Sequence, residues 1–186
     1  MYIDYKNDTT GAHEEMQGSD GRGNVSSRSD GREYYNSRDK QRCFCFPFEM
    51  TNATATEYFS YWKNTSISEH LVISSATINS VNACRIKAWI VSGTAAGGDV
   101  VTPANTNRAK GKDASESEAM EGGAAATGIT GLTQVTLVKY RSITAGGETL
   151  IDFKDTVRLG KGDALAIQYF SGTTGDVWGD MEGYFE

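Results

Sequence analysis

The chain has 186 residues, a formal net charge of −6 and 38% hydrophobic residues, with 21 glycines and 2 prolines. That length holds one domain of ordinary size plus an appendage, and the acidic balance argues against a surface that tracks nucleic-acid phosphates. No apolar run approaches the ~20 residues of a membrane span, and the polar opening MYIDYKNDTT is no secretory signal.

Residues 1–40 are unlike the rest. Ile3 and Val25 are their only β-branched aliphatics, and Leu and Phe are absent. GRGNVSSRSD at 21–30 is followed by GREYYNSRDK at 31–40, so that Gly-Arg and Ser-Arg recur at a ten-residue offset. Two copies do not make a solenoid. So little apolar surface cannot offset chain entropy alone, and the segment reads as an extended arm ordered by a partner surface, or else as a solvated linker. Arg22, Arg28, Arg32 and Arg38 suit forked hydrogen bonding and Tyr34 and Tyr35 apolar anchoring, which makes these six the candidate docking residues.

From Arg42 the texture becomes that of a folded domain, 41–186. Phe44, Phe46 and Phe48 alternate with Cys43 and Cys45, and Pro47 marks an edge strand or a strand entry. The stretch 57–64 (EYFSYWKN) places aromatics on both faces, Tyr58 with Trp62 and Phe59 with Tyr61. These four are a candidate subunit interface if one face meets the core and the other a neighbour; burial of both faces within one domain is the alternative. Residues 69–79 read as a strand. In 83–92 the alternation puts Cys84, Ile86, Ala88 and Ile90 inward and Arg85, Lys87 and Trp89 outward.

Residues 103–131 form a long insertion. Asp113 and Glu116 match a capping box and 114–121 holds good helix formers before Gly122-Gly123, so one short helix is expected there. Strands follow at 132–142 and 149–153. The stretch 155–170 (DTVRLGKGDALAIQYF) has the pattern of a hairpin. Val157 and Leu159 approach a turn at Gly160, Lys161, Gly162 and Asp163, and a strand leaves with Leu165, Ile167 and Tyr169 on one face and Ala164, Ala166 and Gln168 on the other. The closing DVWGDMEGYFE reads as a strand within the sheet. Short strands at regular spacing, joined by glycine and asparagine turns, give an all-β fold: an antiparallel, jelly-roll-like β-sandwich with an extended N-terminal arm.

No nucleophile elbow, zinc-protease helix or phosphate loop is present. With 2 histidines, a Ser-His-Asp relay would rest on His70 alone. Asp176, Asp180 and Glu182 cluster near the end but lack a calcium-loop pattern. Cys43, Cys45 and Cys84 lack zinc-site spacing and read as buried thiols. The expectation is a non-enzymatic protein with no cofactor and no metal.

Three stretches resemble a known group. IDYKNDTTGAHEEMQGSDGR with NVSSRSDGREYYNSRD resembles the N-terminal arms of small virion proteins of short-tailed marine and cyanobacterial phages. YWKNTS and VRLGKGDALAIQYFSGTTGDV resemble hairpins of their β-domain, and the Leu159-Gly160-x-Gly162-Asp163 turn is similar to that of tumour-necrosis-factor and C1q-like jelly rolls. The resemblance implies a virion component without enzymatic activity that is made in the host cytoplasm. It would be a homotrimeric head decoration or cement protein whose arm binds the major capsid protein or another virion protein. A tail-associated or receptor-binding module that reads carbohydrate through Trp89 or Trp178 is the alternative. Neither nucleic acid nor membrane is an expected partner.

Overall fold

The computed structural model describes residues 4–6, 13–15, 42–106, 116–123 and 128–186. The chain divides into two units, Met1–Gly31 and Arg32–Glu186. In the first, β1 (Asp4–Lys6) and β2 (His13–Glu15) pair antiparallel, with Tyr5 opposite Glu14. The candidate docking residues Arg22, Arg28, Arg32, Tyr34, Tyr35 and Arg38 lie outside the described residues.

The second unit carries eight main strands: β3 (Cys43–Ala53), β4 (Tyr58–Asn64), β5 (Leu71–Ser80), β6 (Cys84–Ala96), β10 (Thr130–Ile143), β11 (Gly147–Leu159), β12 (Ala164–Phe170) and β13 (Gly175–Phe185). Between β6 and β10 lie the shorter β7 (Asp99–Val101), β8 (Ala104–Asn105) and β9 (Ser117–Glu121). One antiparallel sheet has the order β11-β5-β13-β3-β8 and the other β10-β6-β12-β4-β9-β7. Successive main strands therefore alternate between the two sheets, except that β6 and β10 share one. This is a jelly roll, as the strand count and spacing lead one to expect. β13, the last strand, lies between β5 and β3, inside its sheet.

The 155–170 stretch needs a correction. Its turn is a corner between sheets and not a hairpin, because β11 bonds to β5 whereas β12 bonds to β4 and β6. Leu159 and Leu165 enter the same core from opposite walls, 1% and 0% exposed. Gly162, at φ +87°, makes the turn, and the Asp163 carboxylate accepts from Gly160 N–H at 3.1 Å. The inward and outward assignments hold: Leu165, Ile167 and Tyr169 join the main core, and Ala164 and Ala166 a second cluster.

Alternation places Phe44, Phe46 and Phe48 in the main core with Phe59 and Trp62. Phe46 meets Trp62 edge-on at 5.9 Å between ring centres, and Phe48 meets Phe59 at 5.4 Å, separations typical of favourable aromatic pairs. Pro47 is exposed on β3, which has only the two-residue β8 beyond it, in keeping with the expected edge position. β6 is also as read, with Cys84, Ile86 and Ala88 buried and Arg85 exposed.

The aromatics of β4 are grouped differently from the simple alternation. A bulge between Ile167 and Gln168 of β12 leaves Phe59 as an extra residue. Phe59 and Trp62 therefore share the core, while Tyr58 and Tyr61 share the outer cluster. All four are buried, at 8%, 0%, 1% and 0% exposure for Tyr58, Phe59, Tyr61 and Trp62. The candidate subunit interface on these residues is thus replaced by two-sided burial within the chain.

The cover over Tyr58 and Tyr61 comes from a ribbon. β6 and β7 lie toward opposite ends of their sheet, so residues 93–98 cross its outer face, and residues 129–132 return beside them, with Thr130 opposite Ala96 and Leu132 opposite Gly93. Ala95, Ile129 and Leu132 pack with Tyr58, Tyr61 and Val91, and Ile129 N–H donates to Tyr58 C=O at 2.8 Å. The bend uses Gly93 (φ +107°) and Gly131 (φ +78°), where a Cβ would sit 2.4 Å from Gly131 O and 2.2 Å from Thr94 O respectively.

The expected helix over 114–121 is also corrected. Residues 117–121 are β9, paired with β4 and β7, and there is no helix among the described residues. Ala119 joins the main core and Met120 the outer cluster. Adjacent side chains sent to opposite layers demand a strand, so tertiary burial overrides helix propensity. Residues 113–115 of the proposed cap lie outside the described residues. After β9 the chain stitches the sheets together along one side: Gly122 N–H donates to Phe59 C=O at 3.0 Å, Gly123 N–H to Glu49 C=O at 2.8 Å and Thr51 N–H to Gly123 C=O at 3.3 Å.

The ribbon bend gives a direct test. Gly131→Ala combines left-handed strain of about 1–2 kcal/mol with a backbone clash. Gly146→Ala has the strain alone, since nothing lies within 4 Å of its Cβ position. Urea denaturation is expected to show a clearly larger stability loss for Gly131→Ala, with tyrosine and tryptophan spectra reporting exposure of the outer cluster.

Candidate interaction surfaces

The outer face of the five-stranded sheet is acidic. Strand register sets Glu148, Asn79, Trp178 and Glu49 in one row. Leu150, Thr77, Asp180 and Pro47 form the next, and Asp152, Ser75, Glu182 and Cys45 the one after. Trp178 is 44% exposed. It borders an open recess of about 400 Å³ lined also by Pro47, Phe48, Glu49, Val101 and Glu121. The Glu121 carboxylate accepts from Glu49 N–H at 2.6 Å. Burial raises its pKa above the ordinary value, the Glu49 backbone bond opposes this, and the Glu49 and Asp99 carboxylates add to it.

The terminal carboxylates do not converge. Asp176 accepts from the backbone N–H of Asn52 at 2.8 Å, where Asn52 sits at φ +53°. Glu182 accepts from Ser75 Oγ at 3.2 Å. Asp180 sits one row along, its carboxyl pushed up by burial and then by the Glu148 carboxylate. Among the described residues, no group of three His, Cys, Asp or Glu side chains is placed to hold a metal ion. His70 is exposed at the start of β5, and its backbone pairs with Glu186. Cys43 and Cys84 are buried thiols and Cys45 is half-buried. Burial raises the Cys45 pKa, with Asp180 and Glu182 adding to it, so this thiol is poorly suited to nucleophilic work.

The two tryptophans considered as carbohydrate platforms differ. Trp89 is half-buried and donates from Nε1 to Gln168 Oε1 at 3.1 Å. Gln168 Nε2 in turn donates to Thr56 C=O at 2.8 Å, fixing a β-branched residue at φ +74°. Trp89 is thereby tied into a network that holds a strained turn. Trp178 has an open ring. Asn64, which begins a glycosylation-like triplet, is fully buried with both amide hydrogens engaged, so it is unavailable as a glycan acceptor.

One surface was not anticipated. β10 is fourteen residues long, and only Ile143 is buried. Val135, Leu137 and Tyr140 are 62%, 44% and 40% exposed, and Leu150 on β11 is 57% exposed. β10 and β11 are the terminal strands of their sheets and lie next to each other, so four of the eight exposed large hydrophobics among the described residues flank one side of the sandwich. The available signal was the mismatch of LTQVTLVKYRS, apolar enough for a core strand but interrupted by two bulges.

No protein-family model matches the chain, and comparisons with curated proteins and with solved structures also find no match.

The acidic face carries a pH signature. Because the folded state raises the Asp180 pKa, its stabilising contribution is present below the ordinary carboxyl range and is lost as pH rises through the raised value. Asp180→Asn is therefore expected to raise the thermal midpoint at neutral pH, with the gain shrinking toward about pH 3. Thermal melts across that range check it, and Glu148→Gln is expected to reproduce part of the gain.

Proposed function

We propose that this chain is a non-enzymatic structural protein of a phage virion, a head decoration or cement protein that attaches through residues 1–40 and presents its jelly roll as a self-associating body. The observation that carries the reading is β10, a long strand of a two-sheet core that leaves ten of its fourteen residues exposed among the described residues. A body with such a side fits life in an assembly. The arm resemblance supplies the particle. Its arginines would fork onto carboxylates or carbonyls of the major capsid protein or another virion protein, with Tyr34 and Tyr35 filling apolar sites.

The test uses the full chain and virions of the phage that encodes it. Replacing Arg22, Arg28, Arg32 and Arg38 by Ser is expected to abolish co-sedimentation with particles while the circular dichroism and thermal midpoint stay unchanged. Undiminished co-sedimentation of that variant sinks the arm assignment. Absence of the unaltered protein from purified virions sinks the virion role.

Trp178 supports a second reading, a receptor-binding module for carbohydrate. Its open ring offers a stacking platform for a sugar, and Glu49 and Glu121 border the same recess as hydrogen-bond acceptors for hydroxyls. On a glycan array, saturable binding that is lost in Trp178→Ala and kept in Trp89→Phe is the expected outcome. Equal binding by the Trp178→Ala variant removes this reading.

A further inference from the structure

We infer that the β10/β11 side is a two-fold contact between copies of this chain, in which β10 of each copy pairs with β11 of the other. The inference rests on the proposed self-association but not on the virion role.

The first argument is the state of the two strands. β10 and β11 are terminal in their sheets, so each has one backbone edge without a strand beside it among the described residues. An edge of fourteen residues with exposed Val135, Leu137 and Tyr140 is the kind that proteins normally shorten or cover. Together the strands offer sixteen exposed and six half-buried residues, beside the about 20–30 residues a side of a stable interface of ordinary size.

The second argument is register. Ile143 and Gly147 flank the same turn, so residues counted equally from them lie at one height. Tyr140 is three before Ile143 and Leu150 is three after Gly147. A two-fold axis parallel to the strands keeps heights and exchanges sheets. It therefore sets Tyr140 beside the partner's Leu150, and Leu150 beside the partner's Tyr140. The strands run antiparallel across the seam, and each six-stranded sheet continues into the partner's five-stranded one. The stretches that would pair, 139–143 and 147–151, are regular. The β10 bulges end at Lys139 and the β11 irregularity begins after Asp152.

Charge selects this arrangement over its rivals. β10 carries Lys139 and Arg141 and no acid, while residues 147–153 of β11 carry Glu148 and Asp152 and no base. Pairing β10 with β10 would gather four cations along one seam, and pairing β11 with β11 four carboxylates, each penalised by like-charge repulsion. The exchanged pairing sets the basic strand beside the acidic one at both seams, with the two sets of charges on opposite faces: Lys139 and Arg141 share the face of their β6 partners Ala88 and Ile86, and Glu148 and Asp152 share that of Leu150. Such an isologous contact closes on itself, with the same patch used by both chains. It yields a dimer rather than the trimer implied by the family resemblance.

Light scattering on the purified full-length chain is expected to give twice the 20.1 kDa chain mass. One chain mass, or three, overturns the inference. A variant with Lys139→Glu and Arg141→Glu, and a second with Glu148→Lys and Asp152→Lys, are each expected to be monomeric alone and to form a one-to-one heterodimer on mixing. Dimers that persist in both variants alone, or no heterodimer on mixing, overturn it. If either variant fails to fold, hydrogen exchange on the unaltered protein decides. Amides of 139–143 and 147–151 are expected to be protected at high concentration and to lose that protection on dilution; concentration-independent exchange there overturns the inference. Since no particle is involved, failure here leaves the arm and virion tests standing.

Discussion

The buried amide of Asn64 holds two corners of the jelly roll together. Its Nδ2 donates to the carbonyls of Glu69 and Leu159, each at 2.8 Å, and its Oδ1 accepts from Ser66 N–H at 2.8 Å. Its backbone N–H donates to Asp163 C=O at 3.0 Å, and its C=O accepts from Gly162 N–H at 2.8 Å. One residue thus ties the β4–β5 connection to the β11–β12 corner, at 0% exposure. A jelly roll sends successive strands to opposite sheets, so its corners leave backbone groups that neither sheet's ladder can satisfy. An unpaired buried group costs about 1–3 kcal/mol, and Asn64 satisfies several at once where the chain changes sheets. The same corner delivers Leu159 and Leu165 into the core from the two walls.

The second constraint is the double-sided burial of β4. A sandwich strand normally has one wet face. Here the outer face carries Tyr58 and Tyr61, with the Tyr61 pKa pushed up to about 12 by burial, aided by Glu118. The ribbon that crosses the sheet replaces solvent over these rings. It does so because the connection from β6 to β10 leaves the sheet at one end, adds β9 and β7 at the other, and returns. The long excursion between the main strands is therefore part of the core, since Ala119 and Ile129 are 1% and 2% exposed.

Much of the fold was legible in the residues, and the limits are physical. Period-two alternation reports which way a side chain points, and for β3, β6 and β12 those assignments hold. It does not report which strand lies alongside. A glycine-bracketed turn between two alternating strands looks the same whether the second strand returns in its own sheet or crosses to the other, so the pattern of 155–170 does not distinguish a hairpin from a corner. For β4, a single bulge opposite Gln168 exchanges the faces of Tyr58 and Phe59 relative to simple alternation. In β9, local helix propensity pointed away from a conformation imposed by partners far along the chain. Of the candidate surfaces, the acidic cluster was visible in sequence as neighbours in the last strand. The register that spreads it across a sheet face with Glu148 and Asp152 was not.

The two lateral sides of the sandwich are treated in opposite ways, and this asymmetry connects fold to function. On the side of β3 and β9, the chain adds β8 to one sheet and β9 and β7 to the other, then closes the gap with backbone hydrogen bonds from Gly122 and Gly123. Glu121 caps the Glu49 amide at the same seam. On the side of β10 and β11 no added strand covers either edge among the described residues, although both strands exceed twelve residues. A chain that places β7, β8 and β9 on one side and, among the described residues, no strand on the other, with cations on one strand and carboxylates on its neighbour, has solved the edge problem on one side by itself. On the uncovered side a basic strand lies next to an acidic one with Tyr140 and Leu150 exposed, and it is on these features that a self-association reading draws.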